Sequence, residues 1–189
     1  MSELPFWYDR DRVMAFQRRR GLVPDGLAGP KTWDAIAALE ARAATQPEIP
    51  RWLVLARSHI GVTERPGDEH EPLILHWLTT TSLGRWGRGR DETPWCSAFV
   101  NAMLERAGLE GTKSAMARSW LGWGVPCEPR IGAVVVLPRG QPPAGHVGFV
   151  SSLRAGAMEV LGGNQGNRVS VVSRRVGDAI GFRWPAEGT

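Results

Sequence analysis

The stretch DETPWCSAFVNAMLERAG, residues 91–108, holds a cysteine where a proline-marked segment becomes a helical pattern. A thiol at a helix start faces unpaired backbone N–H groups and the positive end of the helix dipole, and both favour the thiolate. Three roles are open to Cys96: a packed core thiol, one half of a disulfide with Cys127, or a nucleophile. Free cysteines are among the most buried residues, so packing competes with chemistry. A base is available in PPAGHVGFV, where His146 opens a strand pattern behind a glycine. A cysteine at a helix start followed by a histidine at a strand start is the pairing that activates a thiol for acyl transfer. A third polar group would hold the imidazole. The corner GGNQGN offers Asn164, with Gln165 and Asn167 as rivals.

Those side chains need elements to carry them. After Cys96, the positions Phe99, Val100, Met103, Leu104 and Ala107 repeat at helical spacing, and Gly108 is a stop signal. RWLVLARSHIG and EPLILHWL read as two earlier helices, and SAMARSWLGWG as a short later one. The segment SLGRWGRGRD reads as a loop. The period then changes. GAVVVLP, GHVGFVSSL, AMEVLGG, RVSVVSR and IGFRW are short β-rich runs between glycine, proline or polar turns. Helices followed by closely connected strands predict an α+β fold with an antiparallel sheet. Ahead of this, residues 1–42 read as a small helical module. Val13 and Phe16 share a face of its first helix, Gly21 caps it, and Pro24-Asp25-Gly26 is a turn. Pro30 opens its second helix, with Trp33, Ile36 and Ala37 on the apolar face. Residues 43–50 have linker composition, and 51–189 form the larger domain.

Composition narrows the options. The chain has 189 residues, 42% of them apolar, enough for one well-packed domain and an accessory module. Its formal charge is +4, carried almost entirely by arginine; Lys31 and Lys113 are the only lysines. No basic run with interleaved aromatics and no nucleic-acid motif is present, so no nucleic acid is expected as partner. No apolar run nears bilayer length, so no stable membrane insertion is expected. The N-terminus MSELPFWYDRDRV has no apolar segment of the secretory type, which predicts synthesis in a cytoplasm without a signal peptide. His59 and His76 fall in predicted helices. His70 and His76 with Asp68 and Glu69 lack zinc or calcium-loop spacing, so no metal and no cofactor is expected.

Taken together, DETPWCSAFVNAML, GTKSAMARSWLGWG, IGAVVVLPRG, GHVGFV and VLGGNQGN resemble the CHAP and NlpC/P60 group of cysteine peptidases and amidases, in the form common among phage lysis genes. The resemblance covers roughly residues 50 to 185. It implies a papain-like catalytic domain with Cys96, His146 and Asn164 in order as nucleophile, base and orienting residue. Many CHAP members carry a glutamate two residues before that asparagine; here Gly162 stands there. VMAFQRRRGLVPDGLAGPKTW is similar to the second half of a peptidoglycan-binding domain type 1, which implies peptidoglycan as partner.

The resemblance further implies a monomeric peptidoglycan hydrolase of endolysin type. It would cut amide bonds of the stem peptide and act on the wall after release from the host cytoplasm. Glu92 is a candidate for binding a substrate amine, and Trp95, Trp120 and Trp123 for lining a substrate groove. Two other classes are compatible with the same residues. One is a wall-binding or virion structural protein whose Cys96 is only packed. The other is an acyltransferase that delivers its acyl group to an amine.

Overall fold

The structure is a computed structural model that describes residues 9–45, 48–83 and 90–186, the side chains of 39–45 excepted. It divides into two compact units between Glu48 and Ile49.

The first unit contains α1 (Arg10–Arg19) and α2 (Pro30–Thr45). Asp9 caps α1, its carboxylate accepting from the N–H groups of Asp11 and Arg12 at 3.1 and 3.2 Å. Val13 is fully buried, as its spacing predicts. The organising residue, however, is polar. Gln17 is 2% exposed; its amide donates to Asp25 Oδ1 (2.8 Å), the Leu27 carbonyl (3.0 Å) and Thr32 Oγ1 (3.1 Å), and accepts from the Gly26 N–H (2.9 Å). Among the described side chains of α2, Thr32 is buried, whereas Trp33 is 41% exposed. That helix runs on to Thr45, into the stretch whose composition reads as linker, because its alanines and arginine are strong helix formers.

The second unit is α+β. Helices α3 (Arg51–Ser58), α4 (Pro72–Leu78) and α5 (Cys96–Arg106) pack with a six-stranded sheet. Its strands are β1 (Val125–Pro126), β2 (Val134–Pro138), β3 (Gly145–Arg154), β4 (Ala157–Gly162), β5 (Ser170–Arg175) and β6 (Gly181–Trp184). The order is β1-β6-β2-β3-β4-β5, and every neighbouring pair is antiparallel. The five β-rich runs become β2 to β6. The two-residue β1 is too short to leave a periodic trace. SAMARSWLGWG forms a single 3-10 segment, Ala117–Gly122. Of the loop expected in SLGRWGRGRD, residues 84–89 lie outside the described residues.

Side-chain alternation splits the sheet into two faces. Val134, Val136, Val147, Phe149 and Leu161 join the main core with Leu53, Ile74, Trp77, Phe99 and Met103 from the helices. Ala133, Val135, Leu137, Val150, Met158 and Val160 form a second cluster with no residue of α3, α4 or α5, closed by Phe182 and Trp184. Residues 133–137 are buried throughout, so β2 reads as an unbroken apolar run.

Helix α5 is buried from Cys96 through Leu104. A polar network ties it to the following loop. Ser97 Oγ donates to the Ser114 carbonyl at 2.6 Å and accepts from Trp120 Nε1 at 2.8 Å. Asn101 donates to the Ser97 carbonyl (2.9 Å) and accepts from the Lys113 N–H (2.8 Å). At its N-terminus the helix meets the end of β4 through Trp95. A Cβ placed on buried Gly163 would press on the Trp95 ring, with Cε3 at 2.6 Å, and on Phe99 Cβ at 2.8 Å. Gly163→Ala is therefore expected to destabilise the fold by about 1–3 kcal/mol. A denaturant midpoint unchanged from wild type would show that this contact is loose.

Candidate active site

Cys96 is the first residue of α5. Trp95 occupies the cap position with φ −116° and ψ 12°, and no side chain caps the helix. The first-turn N–H groups therefore lack a side-chain acceptor, as a site for developing negative charge requires. Cys96 is 4% exposed and free, and Cys127 is also free, so the disulfide alternative falls. The backbone N–H of Val147 lies near enough to the Cys96 sulfur to favour its charged form. This places the thiol beside the strand residue that follows His146.

His146 is 6% exposed and pairs in register with Leu137 of β2. Its Nε2 lies 3.1 Å from Gln165 Oε1. The other end of the Gln165 amide is fixed by carbonyls: its Nε2 donates to Ser170 O (2.5 Å), Val160 O (3.2 Å) and Gly162 O (3.4 Å). Three acceptors around that atom require it to be the nitrogen, so the oxygen must face the histidine. His146 Nε2 then carries the proton and Nδ1 keeps a lone pair. Nδ1 is buried and makes no hydrogen bond. Gln165 thus fixes the tautomer that leaves a basic nitrogen free on the residue next to Val147, whose N–H lies near the thiol.

The orienting contact expected of Asn164 is made by its neighbour, and the backbone explains why. Strand β4 ends at Gly162, and Asn164 takes a left-handed φ of 56°. Strand alternation, which would set residue 164 on the His146 face, breaks there. Asn164 is still buried, and its carbonyl accepts from Arg139 Nη1 at 3.5 Å. Its rival Asn167 is exposed, also left-handed at φ 60°, and gives its carbonyl to the Glu64 N–H at 2.9 Å. Gly162 completes the arrangement. A Cβ there would stand 3.2 Å from His146 Nε2 and 3.4 Å from Gln165 Cδ, so the glycine provides the space into which Gln165 folds. The absent glutamate at 162 is the signal in the sequence that points toward Gln165.

The tryptophans expected to line a groove do other work. Trp95 and Trp120 are fully buried. Trp95 donates to Glu64 Oε1 at 2.7 Å and packs near Trp77 and Phe99, with ring centroids 5.7 and 6.5 Å away. Trp120 is spent on Ser97. Large rings beside a crowded helix fill core volume more readily than they face solvent. Trp123 is half-buried, donates to the Glu110 carbonyl at 2.8 Å and meets Trp120 edge-on at 5.2 Å. Glu92 stays at the surface, its side chain 48% exposed and 4.0 Å from Arg90.

Next to Glu92, Asp91 is fully buried. It accepts from the N–H groups of Arg65 and Glu71 at 2.8 Å each and lies 3.3 Å from His70 Nδ1. His70, Asp91 and Glu92 bring ligand-type atoms within 4.8 Å of one another. The Asp91 carboxylate is committed to backbone N–H groups, so its role is structural. It clamps the 65–71 loop to the segment before Cys96.

Burial dominates the electrostatics of the pair. It pushes the Cys96 thiol up, against the N–H groups of Val147, Ser97 and Cys96 and the nearby charge of Arg139. It also pushes His146 down, to about 4, helped by Arg139 and Arg174 and opposed by the Gln165 hydrogen bond. The helix start expected to lower the thiol is therefore outweighed by desolvation. At neutral pH the pair rests as thiol and neutral imidazole. A cavity of about 430 Å³ opens on this corner, lined by His146, Asn164, Gln165, Arg139, Arg174 and Val172 among others.

The fold and this corner define an α+β protein with a cysteine at a helix start and an oriented histidine on the adjoining sheet. Comparison with family models places it further. Residues 88–164 match the model described as "CHAP domain", and residues 10–36 that described as "Putative peptidoglycan binding domain". The chain carries a CHAP domain preceded by a peptidoglycan-binding domain. That pairing implies peptidoglycan hydrolase activity, with peptidoglycan as partner. No curated protein matches the chain. Among the described residues, no helix is long and apolar enough to cross a membrane.

Because the thiolate forms only as pH passes the raised thiol pKa, iodoacetamide labelling of Cys96 should keep accelerating above pH 8. A rate already level at pH 6 would instead reveal a preformed thiolate–imidazolium pair.

Proposed function

We propose that the chain is an endolysin-type peptidoglycan hydrolase that cuts an amide bond of the stem peptide through a thioester on Cys96. The observation that carries this reading is the tautomer of His146. A buried imidazole with Nε2–H held by Gln165 and an unpartnered Nδ1 is a base waiting for a proton.

In this scheme Cys96 Sγ attacks the carbonyl carbon as its proton passes to His146 Nδ1. The carbonyl oxygen becomes an oxyanion, which the Cys96 N–H at the uncapped helix start stabilises. The oxyanion collapses, the C–N bond breaks, and the leaving amine takes the proton from Nδ1. Water then gives a proton to Nδ1 and its oxygen attacks the thioester. The carboxylate product leaves, and the proton returns to sulfur. Concerted proton removal suits a thiol and imidazole that both rest uncharged. Gln165 holds the ring in plane throughout and touches no reacting atom, so it is a positioning residue.

Synthesis in a host cytoplasm, action on the wall after release, and a monomeric state belong to the same reading.

Digestion of purified peptidoglycan, with mass spectrometry of the fragments, tests the core of the proposal. Wild type should release peptides with new amine and carboxylate ends, and Cys96→Ala should release none. Cleavage by the variant at the wild-type rate would remove Cys96 from the mechanism. Intact peptidoglycan with both proteins would favour a wall-binding role, and amine-conjugated products an acyltransferase. Gln165→Ala should lower kcat by roughly 10²-fold and leave KM nearly unchanged. Asn164→Ala should cost no more than a few-fold. The reverse ranking would return the orienting role to Asn164.

A further inference from the structure

The cavity beside His146 has a charge that the hydrolytic scheme does not use. Arg139 follows the end of β2, and Arg174 lies on β5, where it pairs with Met158. Met158 belongs to the second core cluster, as does Leu137, the register partner of His146. By register, Arg174 and His146 therefore lie on the same face of the sheet. Both arginines line the cavity, and both are exposed. Their charges act on His146, and that of Arg139 acts also on Cys96.

Neither guanidinium has an acidic partner among the described residues. Arg139 donates to the Asn164 carbonyl at 3.5 Å, and Arg174 to the Ser173 carbonyl at 3.1 Å. Some other arginines are paired with acids: Arg65 with Glu71, Arg12 with Asp9, and Arg175 with Asp178. No Asp or Glu lines the cavity. Two cations thus face a concave site of about 430 Å³, each with one donor given to a backbone carbonyl and no carboxylate bound. Low-dielectric walls focus such a field on whatever enters, and guanidinium geometry matches a carboxylate. Arg139 is further held over the site by the left-handed turn at Asn164, which aims a carbonyl at it.

We propose that Arg139 and Arg174 form a carboxylate-binding subsite beside His146, which selects stem peptides bearing a free carboxylate next to the scissile amide. The subsite rests on the hydrolase reading for its substrate, and it deepens that reading. It assigns selectivity to two residues outside the tryptophans and Glu92. It also disfavours a free amine at this position, because two like charges would meet it.

The test is calorimetric titration of the Cys96→Ala protein with synthetic stem peptides, either with free carboxylates or with the same groups as carboxamides. The free acid should bind about tenfold more tightly, and the difference should shrink as salt is raised. In the same background, Arg139→Gln and Arg174→Gln should each remove most of the preference. Arg154→Gln, at an exposed end of β3, should retain it. Equal affinity for the two peptides, no binding of either, or a preference that survives loss of both arginines would overturn the subsite. The two readings fail separately. Wild-type cleavage without discrimination in the titrations leaves the hydrolase and removes the subsite. Discrimination by a protein whose wild type cleaves nothing leaves the subsite and removes the hydrolase.

Discussion

The contact of the Trp95 ring with Gly163 is the constraint on which the site depends. One partner precedes the first residue of α5, and the other follows the last residue of β4. With no side chain at 163, the indole closes directly on the backbone. That approach fixes the distance between the cysteine-bearing helix and the corner that carries Gln165. Glu64 pins the indole from the opposite segment, and its own N–H is held by the Asn167 carbonyl, so the same corner is gripped twice. Asp91 adds a third restraint by holding the 65–71 loop to the residues ahead of the helix. The precision of the thiol's placement therefore comes from an aromatic ring and two acids, none of which touches the chemistry.

Such tight packing has an electrostatic cost that shapes the reactivity. Backbone N–H groups at a helix start favour a thiolate, but a thiol only 4% exposed has lost more hydration than those groups return. The same burial disfavours an imidazolium. A resting ion pair would need both ions to be stable in one dry corner. The neutral pair avoids that; in the proposed scheme charge develops only as the proton moves, and the free nitrogen of His146 then matters more than the intrinsic acidity of Cys96.

Much of this was legible in the sequence. Strands β2 to β6 announced themselves by β-rich runs between turn residues, and α3 to α5 by helical period and glycine stops. Cys96 and His146 stood out because an element boundary coincided with a reactive side chain. What escaped depends on geometry that a linear pattern does not carry. Asn164 looked the better orienting residue because the family order of cysteine, histidine and polar residue points there, but its backbone turns left-handed and the side chain that meets His146 is that of Gln165. Trp95 and Trp120 looked like groove residues because tryptophan suits both cores and clefts, and only burial tells the two apart. Cys96 looked acidified because helix position is readable from sequence, whereas desolvation requires the three-dimensional surroundings.

The Gln17 amide gives the first unit a different kind of order. Four hydrogen bonds radiate from one buried side chain to Asp25, Gly26, Leu27 and Thr32, so the connection between α1 and α2 is held as a frame. On that frame Val23 and Leu27 stand 77% and 67% exposed. Apolar groups displayed by an already rigid loop surrender little chain entropy when another surface covers them. The module can thus present a preorganised contact face on a loop held in shape by hydrogen bonds from one buried side chain.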